Sequence, residues 1–283
     1  MPRRFGVSVP AMRRTVQSMV VAGLALAGVF LAGPTAADAA PAAPSTGGYD
    51  VSHPQCGTTL PSTRAFAIVG VNGGTAATTN PCLAPQLRWA AASSGAVPTQ
   101  PKVQLYVNTA NPGQVIDQVT TWPTTGQNRY GTCDGSNSAA CSYQYGKERA
   151  ANDVRILDPA ARSAGVSVAA GAYTWWLDVE TGNTWQTGSS AALARNRATL
   201  EGMAESLTAA GGRVGIYSTS TQWRQIVGTV PSASSLSPLP SWLAGATTLN
   251  GARTNCAKAP LTRGPVVLAQ YVAGGLDRNR SCS

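Results

Sequence analysis

The chain has 283 residues, a length that suits one sizeable domain, with 21 basic against 12 acidic residues and a formal charge of +9. Its Lys and Arg side chains are scattered and no groove-reading motif occurs, which argues against nucleic acid as a partner. The single histidine, His53, excludes a two-histidine metal site within one chain, and without a G-x-S-x-G elbow or a G-x-x-x-x-G-K-[ST] loop the usual serine-hydrolase and phosphate-cradling chemistries are also unsupported.

Arg3, Arg4, Arg13 and Arg14 flank or precede an apolar stretch from Met19 to Leu31, and small residues then end in Ala37-Asp38-Ala39, an A-x-A pattern. Residues 1–39 read as a secretory signal peptide, because the apolar stretch is short for a membrane span and is soon followed by Pro34. An uncleaved anchor is the alternative. Removal of four Arg and Asp38 lowers the formal charge to +6, a balance suited to an anionic polymer or cell surface. The expectation is a secreted, extracellular monomer with no membrane association after cleavage. Residues 40–47, rich in Ala, Pro and Gly, form a flexible lead-in, and residues 48–283 form the domain.

Cys56, Cys82, Cys133, Cys141, Cys256 and Cys282 all lie in the exported part, where an even count implies disulfides. Six thiols allow 15 pairings; proximity favours Cys133 with Cys141, and Cys56 with Cys82 and Cys256 with Cys282 are the expected partners of the rest. No C-x-x-C spacing supports zinc, and neither metal nor cofactor is expected.

In chain order, Gly48 to His53 is a short strand broken by Pro54, and Phe66 to Asn72 is an apolar run of the buried parallel type ending at Gly73-Gly74. A helix from about Pro85 to Gly95 carries Leu83, Leu87, Ala90 and Ala91 on one face, and Lys102 to Thr109 is the third strand. Gly113 to Tyr145 is a long Thr-, Ser-, Gly- and Asn-rich connection, either the rim of a cleft or a stapled surface insertion. Tyr145 to Leu157 is a helix with Ala150, Val154 and Ile156 inward, stopped by Asp158-Pro159. Val166 to Glu180 reads as strand with a break at Gly171, and Ser189 or Ser190 to Gly211 as the clearest helix, capped by serine and ended by glycine. Arg213 to Ser218 is a strand, Thr221 to Val227 a short helix, and Ser241 to Ala244 and Pro265 to Tyr271 are two further strands before Leu276 to Asn279 closes the chain. Alternating strands and helices imply a parallel α/β sheet, and about eight strands make an irregular TIM-like (β/α) barrel, single-domain, the expected fold.

Within that order, Tyr173 to Glu180 is a run of β-formers ending in two carboxylates one residue apart. On a strand Asp178 and Glu180 project the same way, roughly 6.5–7 Å apart. Close carboxylates repel, which raises one pKa and leaves the other group ionised, as general acid and base work requires. A solvated edge strand is the bland alternative. Asp50 and Asp277 also fall near strand ends, so barrel geometry predicts that four of the eleven acids left after signal removal converge at one mouth. His53, three residues after Asp50, is read as a hydrogen-bonding or groove-lining residue rather than a catalyst.

The sequence resembles the family 25 glycoside hydrolases, lysozymes that cut peptidoglycan between N-acetylmuramic acid and N-acetylglucosamine. The residues that carry the likeness are Gly48-Tyr49-Asp50-Val51-Ser52-His53-Pro54-Gln55, Trp176-Leu177-Asp178-Val179-Glu180, Val214-Gly215-Ile216-Tyr217-Ser218, Trp242-Leu243-Ala244, and Gln270-Tyr271 leading to Asp277-Arg278-Asn279. The resemblance implies an irregular β/α barrel with Glu180 as general acid and Asp178 as its partner, orienting the sugar's N-acetyl group or activating water. It implies Asp50 and Asp277 in the same pocket, and Tyr106, Tyr217, Gln270 and Tyr271 on the substrate. Two strand ends depart from the family pattern: Val71-Asn72-Gly73-Gly74 stands where a basic residue and a T-x-G turn are usual, and Tyr106-Val107-Asn108 where Tyr-His is usual. A non-catalytic wall-glycan-binding barrel is the alternative function, and a hard-cation hydrolase using Asp50, Asp178 and Glu180 is a third.

Overall fold

The computed structural model describes residues 46–282, which fall within one compact unit. The expected signal peptide and most of the lead-in lie outside the described residues. The elements in order are β1 (Gly48–Val51), β2 (Phe66–Gly70), α1 (Leu83–Ala91), β3 (Val103–Asn108), β4 (Gly126–Asn128), β5 (Gly131–Cys133), α2 (Ala139–Ala164) and β6 (Thr174–Asp178). They continue as α3 (Ser190–Ala209), β7 (Arg213–Ser218), α4 (Ser220–Ile226), β8 (Ser241–Ala246), α5 (Leu249–Cys256), β9 (Val266–Ala273) and β10 (Leu276–Ser281).

Eight strands close into a barrel in the order β1-β10-β9-β8-β7-β6-β3-β2, so the expected α/β barrel is present. It is not wholly parallel. β10 turns back from β9 through Gly274-Gly275, pairs antiparallel with both β9 and β1, and closes the ring without a crossover helix.

Strand alternation divides the buried residues into two cores. Phe66, Ile68, Trp176, Tyr217, Trp242 and Leu268 fill the barrel, whereas Val69, Leu105, Val107, Trp175, Leu177 and Ile216 face the helices. Each large side chain so buried contributes roughly 1.5–3 kcal/mol. Gly70 makes room inside for Tyr106, whose ring would sit 2.5 Å from an added Cβ. Outside, Gly146 on α2 lets α3 approach so closely that a Cβ there would meet the Thr199 carbonyl oxygen at 2.0 Å.

Several element boundaries differ from the sequence expectation. α2 starts at Ala139, with Ser138 as its cap, and runs through Pro159 to Gly165, because Leu157 and Ala161 bury the same face on either side of the proline and Arg162 bonds Asp158 at 2.7 Å. Residues 166–173 are not a strand: neighbouring strands meet β6 only from Thr174 onward, so the earlier residues have no ladder partner and form a turn at Ala170–Ala172. The long connection holds the β4–β5 hairpin, pinned to α3 by Tyr130 on Glu201 and Arg129 on Glu205. α5, capped by Thr248, was not foreseen. Ala91 is exposed rather than inward, while Gln86 is buried. The three disulfides are Cys56–Cys82, Cys133–Cys141 and Cys256–Cys282, as expected.

Candidate active site

At the barrel mouth where the parallel strands end, Asp50, Asp178, Glu180 and Asp277 line one cavity of about 110 Å3 together with Tyr106, Tyr217, Trp242 and Gln270. Asp50 and Asp178 come from the ends of β1 and β6 and are 7% and 5% exposed. Glu180 lies two residues beyond Asp178, in the loop after the strand rather than on it. Asp277 lies near the start of β10, not at a strand's C-terminal end. It reaches the common mouth because β10 is antiparallel and sets Asp277 directly opposite Asp50.

Asp50 is clamped. Gln270 on β9 donates to its Oδ2 at 3.0 Å and Asn279 on β10 to its Oδ1 at 2.6 Å, and these two amides are themselves partners across the β9–β10 ladder. The Tyr217 hydroxyl in turn donates to Gln270 Oε1 at 2.9 Å, which fixes the amide's orientation. Glu180 is held by its backbone: its carbonyl accepts from Trp185 Nε1 at 2.9 Å and from the Asn183 N–H at 3.1 Å. The next residue, Thr181, donates its N–H to Gln222 Oε1.

Burial without a cation among the lining side chains dominates the electrostatics. Burial, with the neighbouring Asp277 charge adding, pushes Asp50 up to about 7 despite the two amide hydrogen bonds. Burial followed by Glu180 and Asp50 raises Asp178 well above the usual range, and its Oδ1 has no hydrogen-bond partner among the described residues. Glu180 is raised by burial and by Asp277, with a hydrogen bond from Gln222 opposing, and Asp277 is raised by burial. The Tyr106 and Tyr217 hydroxyls are also pushed up, chiefly by burial. The cluster therefore retains protons near neutrality, and can supply a carboxylic acid beside a carboxylate.

Tyr271 departs from its expected place. Adjacent residues of a strand face opposite sides, and since Gln270 faces the cavity Tyr271 packs outward against the Ala246, Ala252 and Ala269 cluster. Trp242, Gln222 and Asn279 were not singled out as site residues. Asn279 could have been, since it lies two residues from Asp277 and so on the same face; Gln222 is brought in by α4 alone. His53 is exposed outside the cavity. A larger cavity of about 450 Å3 lies between α4 and the 257–263 segment, but it has no carboxylate and its residues offer no comparable acid/base pair. Among the described residues no three His, Cys, Asp or Glu side chains are grouped to hold a metal ion, and no helix is long and apolar enough to cross a membrane.

A family model described as Lysozyme-like protein 1 matches residues 143–255, a stretch that contains both Asp178 and Glu180. Over that stretch, less than half of the chain, the sequence is similar to the lysozyme-like family. Among solved structures, a muramidase from Trichobolus zukalii aligns with this chain at 16% identity over 84% of this chain and 93% of that one, with a TM-score of 0.45. No curated protein matches the chain. The three disulfides are consistent with an oxidising, extracytoplasmic compartment.

Proposed function

We propose that this protein is exported by a signal peptide at residues 1–39, followed by a lead-in at 40–47, and that the barrel of residues 48–283 cleaves the β-1,4 bond between N-acetylmuramic acid and N-acetylglucosamine in peptidoglycan. The observation that carries the reading is the single small cavity lined by four carboxylates, each with its pKa raised by burial. Glycoside hydrolysis needs one carboxyl that gives a proton to the leaving oxygen and another group that stays negative beside the developing cation.

Glu180 is the general acid in this scheme. Its carboxyl retains a proton above the usual glutamate range, yet it is the more accessible member of the central pair. Asp178, buried below it with an unpartnered oxygen, faces the reacting sugar and orients its N-acetyl group or a water. Asp50 and Asp277 share the remaining negative charge, with Tyr217 and Gln270 fixing Asp50 and Tyr106 walling the cavity. Tyr271 packs outward against Ala246, Ala252 and Ala269 and is given no role in this scheme.

The test is release of reducing ends from purified cell walls by the wild type and by Glu180→Gln side by side. The substitution keeps shape and removes the proton, so a loss of at least about 10³-fold with unchanged folding is expected. Equal release by the two proteins removes Glu180 from its role, and wall pull-down without release by the wild type favours a binding module.

A further inference from the structure

We propose that a groove beside the loop joining β6 to α3 is a second glycan subsite, in which Trp185 stacks against a pyranose ring on the leaving-group side of the cleavage point. The groove has a volume of about 360 Å3, within the range of small-molecule sites, and is bordered by Thr181, Asn183, Trp185, Thr187 and Gln225. With the buried Gln186 and Ile226 included, the lining has one indole, three carboxamides, two hydroxyls, one isoleucine and no charged side chain, a chemistry that matches a neutral sugar. The ring face meets C–H groups, and the amides and hydroxyls meet sugar hydroxyls or an N-acetyl group.

Two features tie this groove to the carboxylate cavity. Glu180 lines the cavity and its chain neighbour Thr181 lines the groove, so the two adjoin across one peptide bond. The Trp185 indole donates to the carbonyl of Glu180 itself at 2.9 Å, which sets the ring's position relative to the acid. A general acid stands at the leaving-group oxygen, so sugar units beyond Glu180 belong to the leaving group.

The groove is also preorganised. Gln186, which is fully buried in its wall, donates to Asn111 Oδ1 and Asn137 Oδ1, both at 2.8 Å, while its backbone N–H reaches Asn196 Oδ1 at 3.2 Å. A satisfied buried network of this kind holds a loop in one shape before ligand arrives, and so lowers the ordering cost of binding.

The inference rests on the glycan reading above, and binding rather than turnover tests it. Glu180→Gln protein is titrated by calorimetry with the N-acetylglucosamine–N-acetylmuramic acid disaccharide and with the hexasaccharide of the same repeat. The hexasaccharide should bind at least about 10-fold tighter. Adding Trp185→Ala should bring the two ligands within about 2-fold, Trp185→Phe should keep most of the advantage, and Gln225→Ala, at an exposed position, should lose about 3-fold of it. A length advantage untouched by Trp185→Ala overturns the subsite, as does the absence of any length advantage. Failure to bind either ligand overturns the glycan reading along with it, whereas binding with no turnover by the wild type overturns only the hydrolase assignment.

Discussion

Asp50 on β1 and Asp277 on β10 stand directly opposite each other in the antiparallel ladder that closes the barrel. Two like charges so placed destabilise the pairing unless one is neutral, and the protein keeps Asp50 protonated up to about 7 while two amides hold its carboxyl in place. Removing the opposing charge should release part of that effect. In Asp277→Asn the Asp50 carboxyl should titrate at least about half a unit lower, which carboxyl-detected NMR would show; an unchanged titration would mean that burial alone sets it.

The pH dependence of cleavage follows from the same cluster. The acid must carry its proton, and a raised pKa keeps the proton bound until the solution pH passes it. Turnover should hold through mildly acidic pH and decline as pH climbs through about 7, where Asp50 ionises and adds a further negative charge to the cavity. Activity that persists undiminished to pH 9 would contradict this account.

Tyr217 and Tyr271 provide a paired comparison. Tyr217→Phe loses the hydroxyl that orients Gln270 and through it Asp50, a hydrogen bond of about 1–1.5 kcal/mol, so kcat/KM should fall about 10-fold. Tyr271→Phe, on the outward face, should stay within about 2-fold of the wild type. Equal effects at the two positions would show that the Tyr217 hydroxyl does not act through Gln270 and Asp50.

Asp153 is a buried acid away from the cavity. On α2, it accepts from Asn72 Nδ2 at 2.8 Å, Asn72 Oδ1 accepts the Asn108 N–H at 2.8 Å, and burial raises Asp153 to about 7. Its folded pKa exceeds the usual 3.8, so the native state holds the proton more tightly than the unfolded chain, and stability is lost as pH rises from about 4 to about 7. Asp153→Asn stays neutral throughout and still offers Asn72 an acceptor. Denaturant unfolding should show it gaining on the wild type between pH 5 and pH 8 by on the order of 2 kcal/mol. A constant difference across that range would show that Asp153 does not ionise there.

The sequence by itself determined the alternation of strands and helices, the near-neighbour Cys133–Cys141 pair and the residues that make the cavity acidic. Those features depend on local signals: apolar runs bounded by turns, cysteine proximity, and carboxylates close to strand termini. It also made Asn72 and Asn108 visible as departures from the family pattern, without revealing that Asp153 joins them. Only the tertiary structure decided that β10 runs backward, which brings Asp277 in from the start of its strand, and that Gln270 rather than Tyr271 faces the cavity. A period of two assigns neighbours to opposite faces but does not say which face is the inner one when both are buried or aromatic. Likewise the length of α2 and the end of β6 were set by partners far away in the chain: a proline is tolerated where flanking residues share a buried face, and a strand extends only as far as its ladder.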